Sequence, residues 1–222
     1  MRPLLSACFV LFFLCAAAQS DAWKDVYSEK AWKDRDSWQR ANELISRLQI
    51  KPGSTVADIG CHHGYLSFKL SNVVGQQGRV YAVDVEQPKL DKLTEYAKRN
   101  GVINVTTVKG DYDDPHLPSG QLDAVIILDT YHEMDDHDSI LSHVKEALKP
   151  GGRLVLCEPI ADSRRGKARS EQEGRHELEM KFALEDLRKA GFKIVEQSDR
   201  FVDREKIKGD KMWVLVASKP AM

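Results

Sequence analysis

The strongest constraint on this chain is an alternation that begins after Pro52-Gly53. Almost continuously apolar segments at 55–59, 79–83, 122–128 and 153–157, and a weaker one at 105–108, are interspersed with stretches at 65–74, 88–100 and 137–148 of helical period. A strand with apolar residues on both sides needs cover on both faces, so the pattern predicts an α/β fold with a mostly parallel sheet between helices. Segments at 193–197 and 212–217 follow a helix at 177–189 and have none between them, so they are expected to pair antiparallel at one edge. That makes a seven-stranded sheet with an antiparallel edge strand. Trp38, Ala41, Ile45 and Leu48, spaced by three, four and three, predict one N-terminal helix over 29–49, and the polar, basic stretch 160–174 reads as a loop.

The first twenty residues follow another logic. Arg2 precedes an apolar run from Leu4 to Ala18, and Ala16-Ala17-Ala18 and Ala18-Gln19-Ser20 are small-x-small tripeptides. This is the grammar of a secretory signal peptide cleaved near Ala18 or Ser20. The run is about 15 residues, short of the roughly 20 that span a bilayer, although an uncleaved membrane anchor is the alternative. The expected organisation is therefore a signal peptide at 1–20, a linker and lid helix at 21–53, and one catalytic domain at 54–220. The expected address is exported, periplasmic or secreted. With 33 basic and 34 acidic side chains the formal charge is -1, which lacks the basic footprint of a nucleic-acid binder. Cys61 and Cys157 fall at the ends of different parallel strands with another strand between them. Their Cα atoms should then lie about 10 Å apart, beyond disulfide reach, so two free thiols are expected.

In an open α/β sheet, ligands bind beyond the carboxyl ends of the strands near the point where strand order reverses. The residues there carry chemistry. Asp58-x-Gly60-x-x-x-Gly64 follows the first strand, and its glycines allow a sharp turn and close backbone approach before a helix N-terminus that favours anions. Asp84 follows the second strand, Gly110-Asp111-Tyr112 the third, and Asp129-Thr130-Tyr131-His132-Glu133 the fourth. Carboxylates in this series accept hydrogen bonds from hydroxyls and amino groups, and Tyr112 offers a ring for stacking.

With these pieces in order, the chain resembles the class I, Rossmann-like methyltransferases that use S-adenosylmethionine (SAM). The resemblance is carried by Val56-Ala57-Asp58-Ile59-Gly60 with Gly64, Val83-Asp84, Lys109-Gly110-Asp111 and Leu148-Lys149-Pro150-Gly151-Gly152-Arg153-Leu154, over roughly residues 54 to 217. It implies SAM as cofactor, with Asp58, Gly60 and Gly64 at the methionine end, Asp84 and Val85 at the ribose, and Asp111 and Tyr112 at the adenine. The segment beginning at Asp129 would face the methyl group and a small-molecule acceptor. The family usually places a third glycine where this chain has His62, flanked by Cys61 and His63, so His62 is expected to enter the site.

Methyl transfer from an activated donor needs mainly alignment, and a base where the acceptor must lose a proton. His132 or Glu133 is the expected base, with His62 or His63 close to His132 across the cleft. Cys61, His62, His63, His132, Glu133, Asp135, Asp136 and His137 include metal-ligand types, but no fixed metal-binding spacing is present and no metal is expected. Trp23, Trp32 and Trp38 read as packing, and the Arg and Lys residues of 164–175, with His176 and Glu179, as a solvated face. The loop lacks Gly-x-Gly-x-x-Gly, which disfavours a nicotinamide oxidoreductase. A non-catalytic SAM- or nucleoside-binding protein is the remaining alternative.

Overall fold

The computed structural model describes residues 29–221; the expected signal peptide, the linker at 21–28 and Trp23 lie outside the described residues. Seven strands form one sheet: β1 (Thr55–Ile59), β2 (Arg79–Asp84), β3 (Val105–Lys109), β4 (Leu122–Leu128), β5 (Leu148–Ile160), β6 (Lys193–Arg204) and β7 (Asp210–Ser218). Their order is β3-β2-β1-β4-β5-β7-β6. The first five run parallel, and β7 runs antiparallel to both β5 and β6, one strand in from the edge. Between β1 and β4 the chain reverses its direction across the sheet, and this places a cleft at their carboxyl ends.

Side-chain alternation sorts the two faces. Val125 and Ile127 point to the side covered by α5 (His137–Ala147) and α7 (Met180–Lys189), where Leu141, Val144 and Leu187 are fully buried. Ala124 and Ile126 point to the side covered by α2 (Ala41–Arg47) and α3 (Tyr65–Val74), against Leu44, Leu66 and Leu70. Each such buried Leu or Ile contributes about 1.5–3 kcal/mol of transfer free energy. A third cluster seats Leu90, Leu93 and Ala97 of α4 (Gln87–Arg99) on Ala82 and Phe68. Among the described residues, no helix is long and apolar enough to cross a membrane.

Several expected boundaries change. The single helix over 29–49 is two, α1 (Glu29–Gln39) and α2, broken at Arg40, which takes a left-handed φ of 54°. The break is tertiary in origin: the Arg40 guanidinium donates to the Phe201 carbonyl, pairs with Glu43 and lies 4.2 Å from the Phe201 ring centroid. The stretch 160–174 is not all loop, because α6 (Arg169–Glu173) forms there, where Arg169 grips Glu173 and Asp186. Helix α7 starts at Met180 rather than 177, since the backbone at 177–179 is spent elsewhere: Leu178 N–H donates to the Pro159 carbonyl and Glu179 N–H to Gln172. Strand β6 runs to Arg204, far past 197, with register shifts that its polar edge-strand sequence conceals. Helix α8 (Glu205–Lys208) then turns the chain into β7.

Candidate active site

Strand β1 ends in a turn held by backbone bonds. The Gly60 and Cys61 N–H groups both donate to the Val83 carbonyl at 2.9 Å, and Gly64 N–H donates to the Cys61 carbonyl. Gly60 has φ +74°, and a Cβ built there would lie 2.3 Å from the Thr130 side chain, so position 60 tolerates only glycine. Gly64, at φ +80°, starts α3 and leaves room for Leu93 and Phe68. The position where the family favours a further glycine shows why a histidine is unusual there: His62 sits in left-handed backbone at φ 49°. Its N–H donates to Asp84 Oδ2 at 2.9 Å, while Asp84 Oδ1 accepts from Glu86 N–H at 2.9 Å. The Asp84 carboxylate thus ties the β1 turn to β2 and keeps lone pairs for a ligand.

Around this turn lies a cavity of about 490 Å³, within the size range of small-ligand sites of about 300–1,000 Å³. Asp58, Gly60, His62, Asp84, Val85, Asp111, Tyr112, Asp129 and Glu133 all line it; Gly64 and His132 do not. Asp58 is buried, accepts from the Ser67 hydroxyl at 2.6 Å, and burial pushes its carboxyl up to about 6, against the opposing Ser67 hydrogen bond. Asp111 is exposed and pairs with His116 at 2.9 Å, and Tyr112 beside it is 58% exposed. From above, α1 contributes Arg35 and Trp38 to the lining. Arg35 lies 4.3 Å from the Tyr65 ring centroid. The helix is anchored by Trp32, whose ring packs on Phe68 and Tyr96 at 5.8 and 5.6 Å.

The region beyond the ends of β4 and β5 is organised by charge. Asp129, left-handed at φ 58°, receives Arg204 at 2.8 and 3.4 Å, and Arg204, nearly inaccessible, also grips Asp210. Burial opposes ionisation of Asp129, but the guanidinium outweighs it and holds the carboxyl below the usual range. Glu158, fully buried at the end of β5, accepts from the Thr130 and Tyr131 N–H groups at 2.6 and 2.9 Å and meets His132 Nδ1 at 2.5 Å. Burial works against a charged His132, yet the Glu133 and Glu158 carboxylates push it up to about 10. His132 is therefore an imidazolium at neutral pH. Its Nε2 lies 3.7 Å from Glu133, whose own carboxyl is lowered chiefly by His132.

The histidines pair otherwise than expected: His62 packs on His63 at 3.7 Å between ring centroids, and His132 on His176 at 5.6 Å. Burial lowers both His62 and His63, the latter to about 3, so both are neutral imidazoles. Cys61 and Cys157 are free and buried. Asp136 is the N-cap of α5, accepting from Ser139 N–H. Sequence reasoning left Lys89 and Lys208 out of the cavity and gave Arg204 and Glu158 no clear partners. The only cue available was Glu158 at the carboxyl end of a strand.

This strand order is that of the Rossmann-like methyltransferase fold, and acids at the ends of β1, β2 and β3 surround one cavity. Residues 56–152 match the family described as a methyltransferase domain. The chain is similar to the ubiquinone/menaquinone biosynthesis C-methyltransferase UbiE of Vibrio campbellii (strain ATCC BAA-1116), at 30% identity over 154 residues, 68% of this chain and 58% of that protein. It is also similar to the nocamycin O-methyltransferase of Saccharothrix syringae, at 28% over 120 residues, 54% of this chain and 43% of that protein. The chain spans about half the length of these curated relatives. A SAM-dependent methyltransferase from Aquifex aeolicus shares the fold with a TM-score of 0.68 at 22% identity, over 86% of this chain and 98% of that one.

Proposed function

We propose that the chain binds SAM in this cavity and methylates a small-molecule acceptor that enters beside Glu133. One observation carries the reading: Asp58, Asp84 and Asp111, each from the end of a different strand, line the same cavity as Asp129 and Glu133. When bound, SAM supplies an already electrophilic methyl group and leaves as S-adenosylhomocysteine. Asp58 meets the ammonium of the methionine part, and Arg35 its carboxylate. Asp84 accepts from the ribose hydroxyls, Asp111 accepts from the adenine amino group, and Tyr112 stacks on the ring. Where the acceptor must lose a proton, Glu133 takes it, because His132 already holds its own; His132 then acts as a fixed positive charge beside it. The domain's near-neutral charge fits a small acceptor better than a nucleic acid.

Titration calorimetry tests the cofactor placement. Asp84→Ala should weaken SAM binding about 10–100-fold, the loss expected for hydrogen bonds to a charged group; equal affinities would refute it. Incubation with acceptor pools should release S-adenosylhomocysteine, whereas SAM binding without release under any pool would make this a binding protein instead. We further propose export, on the strength of the first twenty residues. The native protein should begin near Gln19 or Asp21, and a retained Met1 in a cytosolic fraction would refute it.

A further inference from the structure

We propose that His132, Glu133 and His176 form a binding site for a first-row divalent transition metal in a second cavity, which shares Asp129, Glu133 and Lys208 with the first. One ligand atom from each lies within 4.8 Å of the others. Glu133 Oε1 is 3.4 Å from His176 Nδ1 and 3.7 Å from His132 Nε2. An ion bound tetrahedrally at about 2.1 Å sets its ligand atoms about 3.4 Å apart, so small side-chain shifts close the triad. Two imidazoles and one carboxylate favour zinc, cobalt, nickel or iron over magnesium, which prefers oxygen ligands.

The surroundings are those of a prepared ligand set. His132 is buried, and its Nδ1 faces Glu158, which orients the ring and leaves Nε2 toward Glu133. A carboxylate behind a histidine is the usual arrangement for fixing the tautomer of a metal ligand. His176 is exposed, but its turn is fixed. His176 is left-handed at φ 57°, its N–H donates to the Glu173 carbonyl, and the next two residues are tied down by Glu177 to Ala161 N–H and by Leu178 N–H to the Pro159 carbonyl. Asp129, His132 and Glu158 also come within the same distance. Their atoms are committed: Asp129 to Arg204, and Glu158 to two backbone amides and His132. The cations that line the same cavity as the triad are Arg175, Arg204 and Lys208; Arg204 is neutralised by Asp129 and Asp210, and Lys208 lies 3.7 Å from Asp129.

A metal ion would take the place of the Nε2 proton on His132. Its remaining positions would face a cavity of about 450 Å³ lined also by Asp129, Arg175 and Lys208. An acceptor hydroxyl bound there would be acidified by the ion and would lose its proton to solvent, because Glu133 is then a ligand. That last role rests on the methyl-transfer reading; the site itself does not.

The test therefore uses no SAM. Untagged protein is titrated with Co²⁺ and followed by visible d–d absorption, with Zn²⁺ as competitor and Mg²⁺ as control. One Co²⁺ per chain, displaced by Zn²⁺ and indifferent to Mg²⁺, is expected. His176→Ala, at an exposed position, should keep the melting profile and lose tight binding. Glu158→Gln should weaken it about 10–100-fold, the usual effect of removing a group that orients a metal ligand. Failure of the unmodified protein to bind Co²⁺ stoichiometrically, or equal affinity in His176→Ala, would overturn the site whatever the outcome with SAM.

Discussion

At the ends of β1 and β2, backbone groups set the shape: the Gly60 and Cys61 amides converge on one Val83 carbonyl, and Asp84 catches the His62 amide. Near the ends of β4 and β5, side chains set it: Arg204 spans Asp129 and Asp210, and Glu158 holds His132 and the amides of Thr130 and Tyr131. The first end rests on partners close to the strand ends that carry them. The second joins residues 75 positions apart in the case of Asp129 and Arg204. A backbone-built site admits few residue types but needs few long-range partners. A site built from charged side chains depends on each partner being present, and can change its acceptor by changing one of them.

Substitutions that strike one end only can break this contrast. The largest effect should come from Arg204→Met, which strands Asp129 and Asp210 without their shared cation. Removing one partner of a buried ion pair costs about 3–5 kcal/mol, read as a shift in the denaturant midpoint, while SAM affinity should change much less. A parallel collapse of SAM binding would show that the two ends are one unit. Next comes Gly60→Ala, where the added Cβ meets Thr130 and the left-handed backbone is strained. Strain of this kind costs about 1–3 kcal/mol, so SAM affinity should fall about 5- to 160-fold with the Arg204–Asp129 pair intact.

A third test uses pH. Asp58 titrates near 6 in the folded chain, above its ordinary value, and only its ionised form attracts an ammonium. SAM affinity should be level above that pH and fall by up to tenfold per unit below it, since one unit corresponds to about 1.4 kcal/mol. Asp58→Asn should bind weakly at every pH and lose the slope. The same raised value means that Asp58 favours the folded state at acid pH, and that this contribution is lost as pH rises through about 6. The smallest effect belongs to Tyr112→Ala. A partly exposed stacking contact is worth about 0.5–1.5 kcal/mol, so SAM affinity should drop about 2- to 12-fold with stability unchanged.

The same contrast explains what could be read from the sequence. The strands up to β4 and the turns after β1, β2 and β3 were legible because their determinants are local: apolar runs, Gly60, and an acid at a strand end or two residues past it. The break at Arg40 was not, because its cause is the carbonyl of Phe201, and helical spacing continues straight through it. Strand β6 was read too short because an edge strand carries polar residues along its length. The charge of His132 has no local mark in the sequence, since it depends on Glu158 from the next strand as well as on Glu133. His176 read as a solvated face because nothing nearby in the sequence marks the left-handed turn that sets it against His132.

The two cysteines carry a consequence for redox chemistry. Cys61 lies two residues past β1, on the cavity wall, and Cys157 lies within β5; both are buried, and burial raises each thiol well above its ordinary value. The thiolate is the species that oxidants and disulfides attack, and here it is scarce and shielded. Within the described residues, then, the fold rests on no disulfide and offers no accessible thiol to a redox partner.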